Sequence, residues 1–397
     1  MSGAGTSAAD GPRPLVGILG GGQLGRMLAL AGHSLGIATR CWDEHADAVA
    51  GHVTQLHTDA FDSPAKLDDF LRGVNAVTTE WENVPVALLR LIASRGVPVH
   101  PHPEAVAIAQ DRWLEKELAR RLGIATPAYA HAGSVDELRE AVARVGGGAC
   151  IVKTRRLGYD GKGQALLRNP GATEVARAWD DLTAGGAVGR VGGLIVESLV
   201  PFARELSIIA ARSTTGQVRC YPLTTNVHRA GILRRSVAPA PHTTPGVQQH
   251  AEALARRVLD ELKYVGVLAI ELFEVPGVHD APPTLVFNEI APRVHNSGHW
   301  TIDGARTSQF ENHLRAVLGL PLGDCEMVAP GACAGMINLI GTMPARERLL
   351  ALAHARVHDY AKPARPGRKI GHVTTVAHNH DALERQMREI EALIQDQ

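Results

Sequence analysis

Two glutamates stand where a glutamate is costly. Glu271 interrupts the apolar run Leu268-Ala269-Ile270-Glu271-Leu272-Phe273, and Glu289 sits in Leu285-Val286-Phe287-Asn288-Glu289-Ile290. A carboxylate in a largely apolar strand must be paired, hydrogen-bonded or bound to a cation. Two such strands side by side would converge both carboxylates, with the Asn288 amide, on a hard divalent ion. Mg²⁺ suits these donors, since it takes carboxylate oxygens, keeps waters and bridges to nucleotide phosphates. Buried salt bridges to Arg293 or to a lysine would also satisfy the pair.

A phosphate would find partners elsewhere in the chain. Ile151-Val152-Lys153 ends a strand, and Gly158-Tyr159-Asp160-Gly161-Lys162-Gly163-Gln164 follows five residues on. Its three glycines let the backbone approach a phosphate closely, as a mobile flap. Lys153 could reach the α- or β-phosphate, and Lys162 the transferred group or its acceptor. Directly after Glu289, the run Ala291-Pro292-Arg293-Val294-His295-Asn296-Ser297-Gly298-His299-Trp300 crowds donors suited to a small anionic intermediate. Lys362-Pro363-Ala364-Arg365-Pro366-Gly367-Arg368-Lys369 concentrates positive charge on a proline-stiffened loop, as a phosphate clamp would. Near the N-terminus, Gly20-Gly21-Gly22-Gln23-Leu24-Gly25 matches G-x-G-x-x-G, with Asp43 about 20 residues on. That pattern presents backbone N–H groups at a helix start, to a monophosphate as readily as to a dinucleotide.

These groups need a scaffold. Strands at Leu15–Leu19, Ala38–Trp42, Ala76–Thr79 and Val97–Val99 alternate with helices after the Gly loop and near Val86–Ser94. Such alternation predicts a parallel sheet covered on both faces over 15–111. From 112 to 322, helices at Arg112–Leu122, Val135–Val145 and Gln248–Leu262 accompany eight strands. These are Cys150–Lys153, Gln164–Leu167, Leu194–Leu199, Leu206–Ala211, Val218–Tyr221, Ile232–Val237, Val267–Val275 and Thr284–Ile290. Runs of strands predict an α+β domain on antiparallel sheet. The tail, 323–397, reads as a small third domain of short strands closed by an amphipathic helix over Asp381–Leu393.

The bulk composition excludes several classes. Lys plus Arg equals Asp plus Glu at 41 each, so no net field draws the 397-residue chain to nucleic acid or anionic lipid. No apolar run approaches the roughly 20 residues of a membrane span. The five cysteines form no C-x-x-C pair, and Cys41, Cys150 and Cys220 read as buried free thiols, which suits the cytoplasm. His295 and His299, like His354 and His358, lie four apart but lack the glutamate of a zinc H-E-x-x-H site. Residues 1–14 read as a disordered leader without the apolar core of a signal peptide.

The flap G-Y-D-G-K-G-Q, the run N-E-I-A-P-R-V-H-N-S-G-H-W and the late R-P-G-R-K-I-G-H together resemble the ATP-grasp superfamily. Within it they are similar to the 5-(carboxyamino)imidazole ribonucleotide synthase family, over about Leu15 to His380. The resemblance implies an ATP-grasp fold with an N-terminal Rossmann-like (pre-ATP-grasp) domain and a small C-terminal domain. It implies carboxylation of aminoimidazole ribonucleotide with ATP, Mg²⁺ and bicarbonate, without biotin, by a homodimer that binds small molecules and neither nucleic acid nor membrane.

On that resemblance Arg112 and Lys153 contact phosphates, while Gly158, Gly161, Gly163 and Gln164 close over them. Glu197, Ser198, Leu199 and Val200 hold adenine through main-chain groups, Glu205 takes the ribose, and His228 lies near the nucleotide. Glu271 and Glu289 ligate Mg²⁺, and Asn288 is among the residues that bind the nucleotide. Lys153, Arg293, His295 and Asn296 carry catalysis, and Ser297 faces the substrates with them. Tyr159, Asp160 and Lys162 reach over the ribonucleotide, whose phosphate meets Lys362, Arg368, Lys369 and the Gly loop with Gln23 and Leu24. Glu82 would touch it as well. A formate-using glycinamide ribonucleotide transformylase, a nicotinamide oxidoreductase resting on the Gly loop, and a catalytically dead nucleotide-binding regulator are the alternatives.

Overall fold

The computed structural model describes residues 13–145, 148–158, 161–183, 192–278 and 281–395. Residues 1–12 of the leader, and Tyr159 and Asp160 of the flap, lie outside them. Contacts divide the chain into two compact units, Met1–His100 and Pro101–Gln397. Among the described residues no helix is long and apolar enough to cross a membrane.

The first unit is a parallel sheet of β1 (Leu15–Leu19), β2 (Ala38–Asp43), β3 (Gln55–Thr58) and β4 (Ala76–Thr79), in the order β3-β2-β1-β4. Trp42 anchors its core against Phe61 and Phe70, with ring centroids 5.5 and 5.4 Å away. The strand expected at Val97–Val99 is only a single bridge from Val99 to Val77. Pro98 has no N–H to extend a ladder there.

The second unit carries two antiparallel sheets. The smaller joins β5 (Tyr129–Ala132), β6 (Ala149–Thr154), β7 (Gln164–Arg168) and β8 (Leu194–Ser198), in the order β5-β8-β6-β7. Helices Val135–Val145 and Ala172–Thr183 cover it, burying Leu138, Ala141, Val175 and Ala178 against Val152 and Val196. The larger sheet comprises β9 (Arg204–Arg212), β10 (Val218–Cys220), β11 (Thr224–Arg229), β12 (Ile232–Ala238), β13 (Gly266–Val275), β14 (Thr284–Ala291), β15 (Cys333–Ile340), β16 (Arg356–Asp359) and β17 (Lys369–Ala377). Its path runs β14-β13-β9-β11-β12-β15-β17-β16, with β10 on β9.

The strands of the tail therefore extend this sheet, through the pairing of β12 with β15, and do not form a sheet of their own. Seven of the eight residues of β15 are buried, the pattern of a strand with neighbours on both edges. The strand β11, which no sequence signal marked, fills the gap between β9 and β12. All five cysteines are free thiols, and Cys220, on the short β10, is half-buried where full burial was expected.

Alternation along β9 and β13 sorts the larger sheet into two faces. Leu206, Ile208, Ile270 and Leu272 join the core under helix Pro245–Glu261. Glu205, Ser207, Glu271 and Phe273 lie at the intervening positions, where Ser207 pairs with Glu271 and Glu205 with Phe273. The second face is where the chemistry gathers.

Candidate active site

Glu271 and Glu289 are direct cross-strand partners on β13 and β14. The register slips beyond them, so that Leu272 pairs with Phe287 and Asn288 becomes an extra residue. A bulge of this kind re-aims a side chain beside a site. The Asn288 Oδ1 atom is buried with no hydrogen-bond partner among the described residues. Like charges directly opposite on a sheet repel, and a buried acceptor without a donor is costly. Two carboxylates and an orphaned amide oxygen fit a hard divalent cation, the group these residues would hold. The salt-bridge alternative is met in part, by different partners: Arg112 Nη1 donates to Glu289, and His295 Nε2 lies 3.2 Å from Glu271.

Helix Arg112–Arg121 connects this pair to the smaller sheet. Its N-cap, Asp111, accepts from the Trp113 N–H at 3.1 Å and pairs with Arg155 at 2.6 Å, pinning the helix start to the end of β6. Lys116, 1% exposed, donates to the Asn288 carbonyl at 2.6 Å and reaches Glu197 at 3.4 Å. Lys153 Nζ lies 3.0 Å from the same Glu197 oxygen. One buried carboxylate thus serves two lysines. Burial drives the Glu197 carboxyl up, but Lys116 and Lys153 overcome it and hold it down at about 2. Glu289 is likewise held below its ordinary value, Arg112 and Lys153 outweighing burial. The neighbouring Glu115 goes the other way, pushed up by burial and by Glu289 while accepting from the Ile290 N–H at 2.9 Å.

The nucleotide end lies beyond β8. The Ser198 N–H is bonded to Ala128 and that of Leu199 to Ala149, while Leu199 is 37% and Phe202 40% exposed. Phe202 stacks on Phe273 with centroids 4.6 Å apart, forming an apolar floor at the strand end next to Val200. Glu205 faces His228 at 2.6 Å. Burial lowers the His228 pKa, but the Glu205 carboxylate and the charge of Glu271 raise it above the ordinary value.

The flap closes back on the scaffold. The Thr154 N–H donates to the Gly163 carbonyl at 2.8 Å, and Gln164 pairs with Lys153. Arg112 Nη2 lies 3.5 Å from the Gly158 carbonyl. Gly161, at φ 75°, rests against the turn joining β11 to β12, where a Cβ would come within 2.8 Å of Gly231 Cα. Lys162 beside it is exposed.

After Glu289 the chain turns under the carboxylates. His295 and Ser297 share a bond of 2.8 Å from Nδ1 to Oγ. Asn296 exchanges two side-chain bonds with Asn338 of β15, at 3.1 and 2.6 Å. Arg293 donates to the Val294 carbonyl at 3.1 Å. His299 is wholly buried among Phe310, Tyr360 and His372. Burial, with its cationic and histidine neighbours, holds it well below the ordinary histidine value. The basic loop is pinned at both ends, by Gly341 N–H to the Arg368 carbonyl at 2.8 Å and Arg365 N–H to the Gly341 carbonyl at 3.1 Å. Lys362 and Arg368 are half-buried there. Lys369 opens β17 and is close enough to act electrostatically on both His228 and His299.

Within the first unit the Gly loop departs from its expected use. Gly22 donates to Glu80 at 2.8 Å, Gly25 to Glu80 at 3.3 Å and Gly21 to Asp43 at 2.7 Å. Those three N–H groups are already held by carboxylates of the chain itself. Asp43, the expected ribose acid of a dinucleotide, is committed to the loop and to the His45 N–H, which removes the support for nicotinamide chemistry. Leu24 has its side chain buried, so only its main chain could meet a ligand. Gln23 opens the helix, and Glu82 is half-buried beyond β4.

Sequence reasoning missed Lys116, Glu115, Glu80, Asn338, Ser207 and Asn226. None of these carried a clear signal, and the Glu115-Lys116 pair lies in the charged run Arg-Trp-Leu-Glu-Lys-Glu.

Three family models match successive segments. They are the ribonucleotide synthetase preATP-grasp domain at residues 14–110, the ATP-grasp domain at 117–310, and the phosphoribosylaminoimidazole carboxylase C-terminal domain at 334–386. The N5-carboxyaminoimidazole ribonucleotide synthase of Pseudomonas aeruginosa is 44% identical over 382 residues, which span 96% of this chain and 99% of the relative. The N5-carboxyaminoimidazole ribonucleotide synthetase structure from Thermus thermophilus shares 46% identity at a TM-score of 0.86, covering 96% of this chain and 98% of that one. A synthase structure from Aspergillus clavatus, complexed with ADP and 5-aminoimidazole ribonucleotide, superposes at a TM-score of 0.84 with 28% identity, covering 97% and 99%. With the opposed carboxylates, the twin lysines and the His-Asn run in place on one ATP-grasp scaffold, this chain belongs to the N5-carboxyaminoimidazole ribonucleotide synthase family.

Proposed function

We propose that the protein carboxylates 5-aminoimidazole ribonucleotide, using ATP and bicarbonate, to give 5-(carboxyamino)imidazole ribonucleotide, ADP and phosphate. The observation that carries the proposal is the Glu271–Glu289 pair with bulged Asn288, set directly against His295. Mg²⁺ held by Glu271 and Glu289 would neutralise the phosphate oxygens and orient the γ-phosphoryl group.

The chain's own residues do the rest. Lys153 and Arg112 lie beside that pair as fixed positive charges, where negative charge spreads as a bicarbonate oxygen attacks the γ-phosphorus and ADP leaves. The product is carboxyphosphate. Arg293, His295 and Asn296 face it from the loop after β14, while Ser297, expected to join them, is fully buried and supports His295 from behind. Loss of phosphate frees CO₂, which the exocyclic amine of the ribonucleotide captures as it gives up a proton. Gly158 to Gln164 exclude water during this interval. Tyr159, Asp160 and Lys162 are assigned to the ribonucleotide. Glu205 takes the ribose of ATP with His228 near the nucleotide, and Glu197 to Val200 hold its adenine, over Phe202. The same proposal takes the protein as a cytoplasmic homodimer, which a monomeric mass in sedimentation would overturn.

Two substitutions examine parts of this account. In Gly161→Ala the added methyl meets Gly231 on a backbone of φ 75°, so the flap lifts from its turn. Turnover then falls roughly ten- to a hundredfold, and more ADP is released per ribonucleotide carboxylated, because water reaches carboxyphosphate. Tight coupling in that variant would show that the flap does not seal the site. Lys369→Ala should raise the ribonucleotide KM by about ten- to a hundredfold with little change in kcat, as for a lost phosphate contact in the ground state. A change confined to the KM for ATP would move Lys369 to the nucleotide.

A further inference from the structure

A chain of buried polar groups runs from the second face of the larger sheet to His295. Ser236 Oγ donates to Asn226 Oδ1 at 2.8 Å, and Asn226 Nδ2 to Ser207 Oγ at 3.0 Å. Ser207 Oγ then donates to Ser297 Oγ at 2.8 Å, which stands 2.8 Å from His295 Nδ1. Ser207, Ser236 and Ser297 are fully buried and Asn226 is 6% exposed. Strand register holds the chain in place, since Asn226 pairs with Ser236 and Ser207 with Glu271.

The direction of this chain is fixed at both ends. The Ser297 backbone N–H points at His295 Nδ1 from 3.3 Å, so that nitrogen must be the acceptor. Ser297 therefore spends its hydroxyl proton on Nδ1 and must accept from Ser207. Ser207, its own proton spent, must accept from an amide nitrogen, which is why Asn226 turns Nδ2 toward it. At the far end Nε2 faces the Glu271 carboxylate, which needs a donor. Both constraints demand the same tautomer.

We propose that Asn226 and Ser207 are positioning residues that hold His295 in the tautomer with its proton on Nε2, aimed at Glu271. The consequence for turnover rests on the proposed function, in which His295 faces the reacting groups; the tautomer itself does not. An asparagine is suited to this post because its amide accepts from Ser236 while donating to Ser207. An aspartate of the same shape can only accept when ionised. It would draw the Ser207 hydroxyl back toward itself, Ser297 would turn to Ser207, and Nδ1 would have to supply the missing proton.

The experiment is histidine side-chain ¹⁵N NMR of the full chain, with the His295 signals assigned by their loss in His295→Asn. The parent should show a pyrrole-type Nε2 and a pyridine-type Nδ1. Asn226→Asp, which reverses the chain, should move His295 toward the other tautomer, and Ser236→Ala, which leaves the Asn226–Ser207 bond intact, should not. Asn226→Asp should lose about ten- to a hundredfold in kcat with the KM for ATP within about twofold of the parent. A His295 that keeps its Nε2 proton in Asn226→Asp overturns the proposal. A tautomer that moves while turnover stays constant would uphold the positioning role and remove His295 from the reaction.

Discussion

Replacing Glu289 by glutamine is expected to lower Mg·ATP turnover by about a thousandfold while the protein stays folded. Glutamine keeps the shape of the side chain but loses the charge that a divalent cation requires. It leaves Glu271 as the one carboxylate of the opposed pair and Asn288 as a neutral neighbour. The fold should tolerate the change, because two effects offset each other. Arg112 gives up its carboxylate partner, and the repulsion between Glu271 and Glu289, and that between Glu115 and Glu289, is relieved. ADP release measured across a Mg²⁺ titration, beside a thermal melt, separates the two properties. Full turnover in a folded Glu289→Gln protein would take Glu289 out of the site.

The second large effect is on stability. Glu197→Gln should cost about 3 kcal/mol at pH 7, because it leaves Lys116 and Lys153 buried around a neutral group. Its pH dependence has a definite sign. The two lysines, against the opposing effect of burial, depress the Glu197 carboxyl from 4.5 to about 2. A depressed acid contributes its full stability above its unfolded value and loses it as pH falls through the folded one. The contribution is therefore complete at pH 7 and disappears between about pH 4.5 and pH 2. Urea melts of the two proteins should differ at pH 7 and converge toward pH 3. A difference that stayed constant would mean that Glu197 does not carry the charge holding the two sheets of this unit to the helix between them.

The residues that break a local rule were the legible part of the site. Glu271 and Glu289 are conspicuous because apolar strands do not carry carboxylates without cause, and period-two alternation puts both on one face. Their direct opposition was not legible, since register depends on a partner strand, and the bulge that frees Asn288 depends on it too. Lys116 was hidden for a different reason. It lies in Arg-Trp-Leu-Glu-Lys-Glu, a sequence that looks solvated, and is buried only because two sheets close on that helix. Ser207, Asn226 and Ser236 are small polar residues in ordinary alternating strands, and only the paired structure makes them one chain.

The Gly loop was legible as a tight turn and no further. The carboxylate that occupies two of its N–H groups, Glu80, comes from the end of β4, more than 50 residues away. The short strands after 323 were legible as a C-terminal region, which a family model also matches, but the pairing that sets β15 between β12 and β17 was not. Local pattern thus reported which residues were out of place, and long-range pairing decided what they were placed against.

In the proposed function, ATP cleavage serves carboxylation of an aminoimidazole ribonucleotide. Coupled measurement of ADP release, with Mg·ATP and bicarbonate, in the presence and absence of 5-aminoimidazole ribonucleotide, tests it most directly. ADP release that depends strongly on both the ribonucleotide and bicarbonate is the predicted result. ADP release indifferent to that ribonucleotide, or driven by glycinamide ribonucleotide with formate, would contradict it.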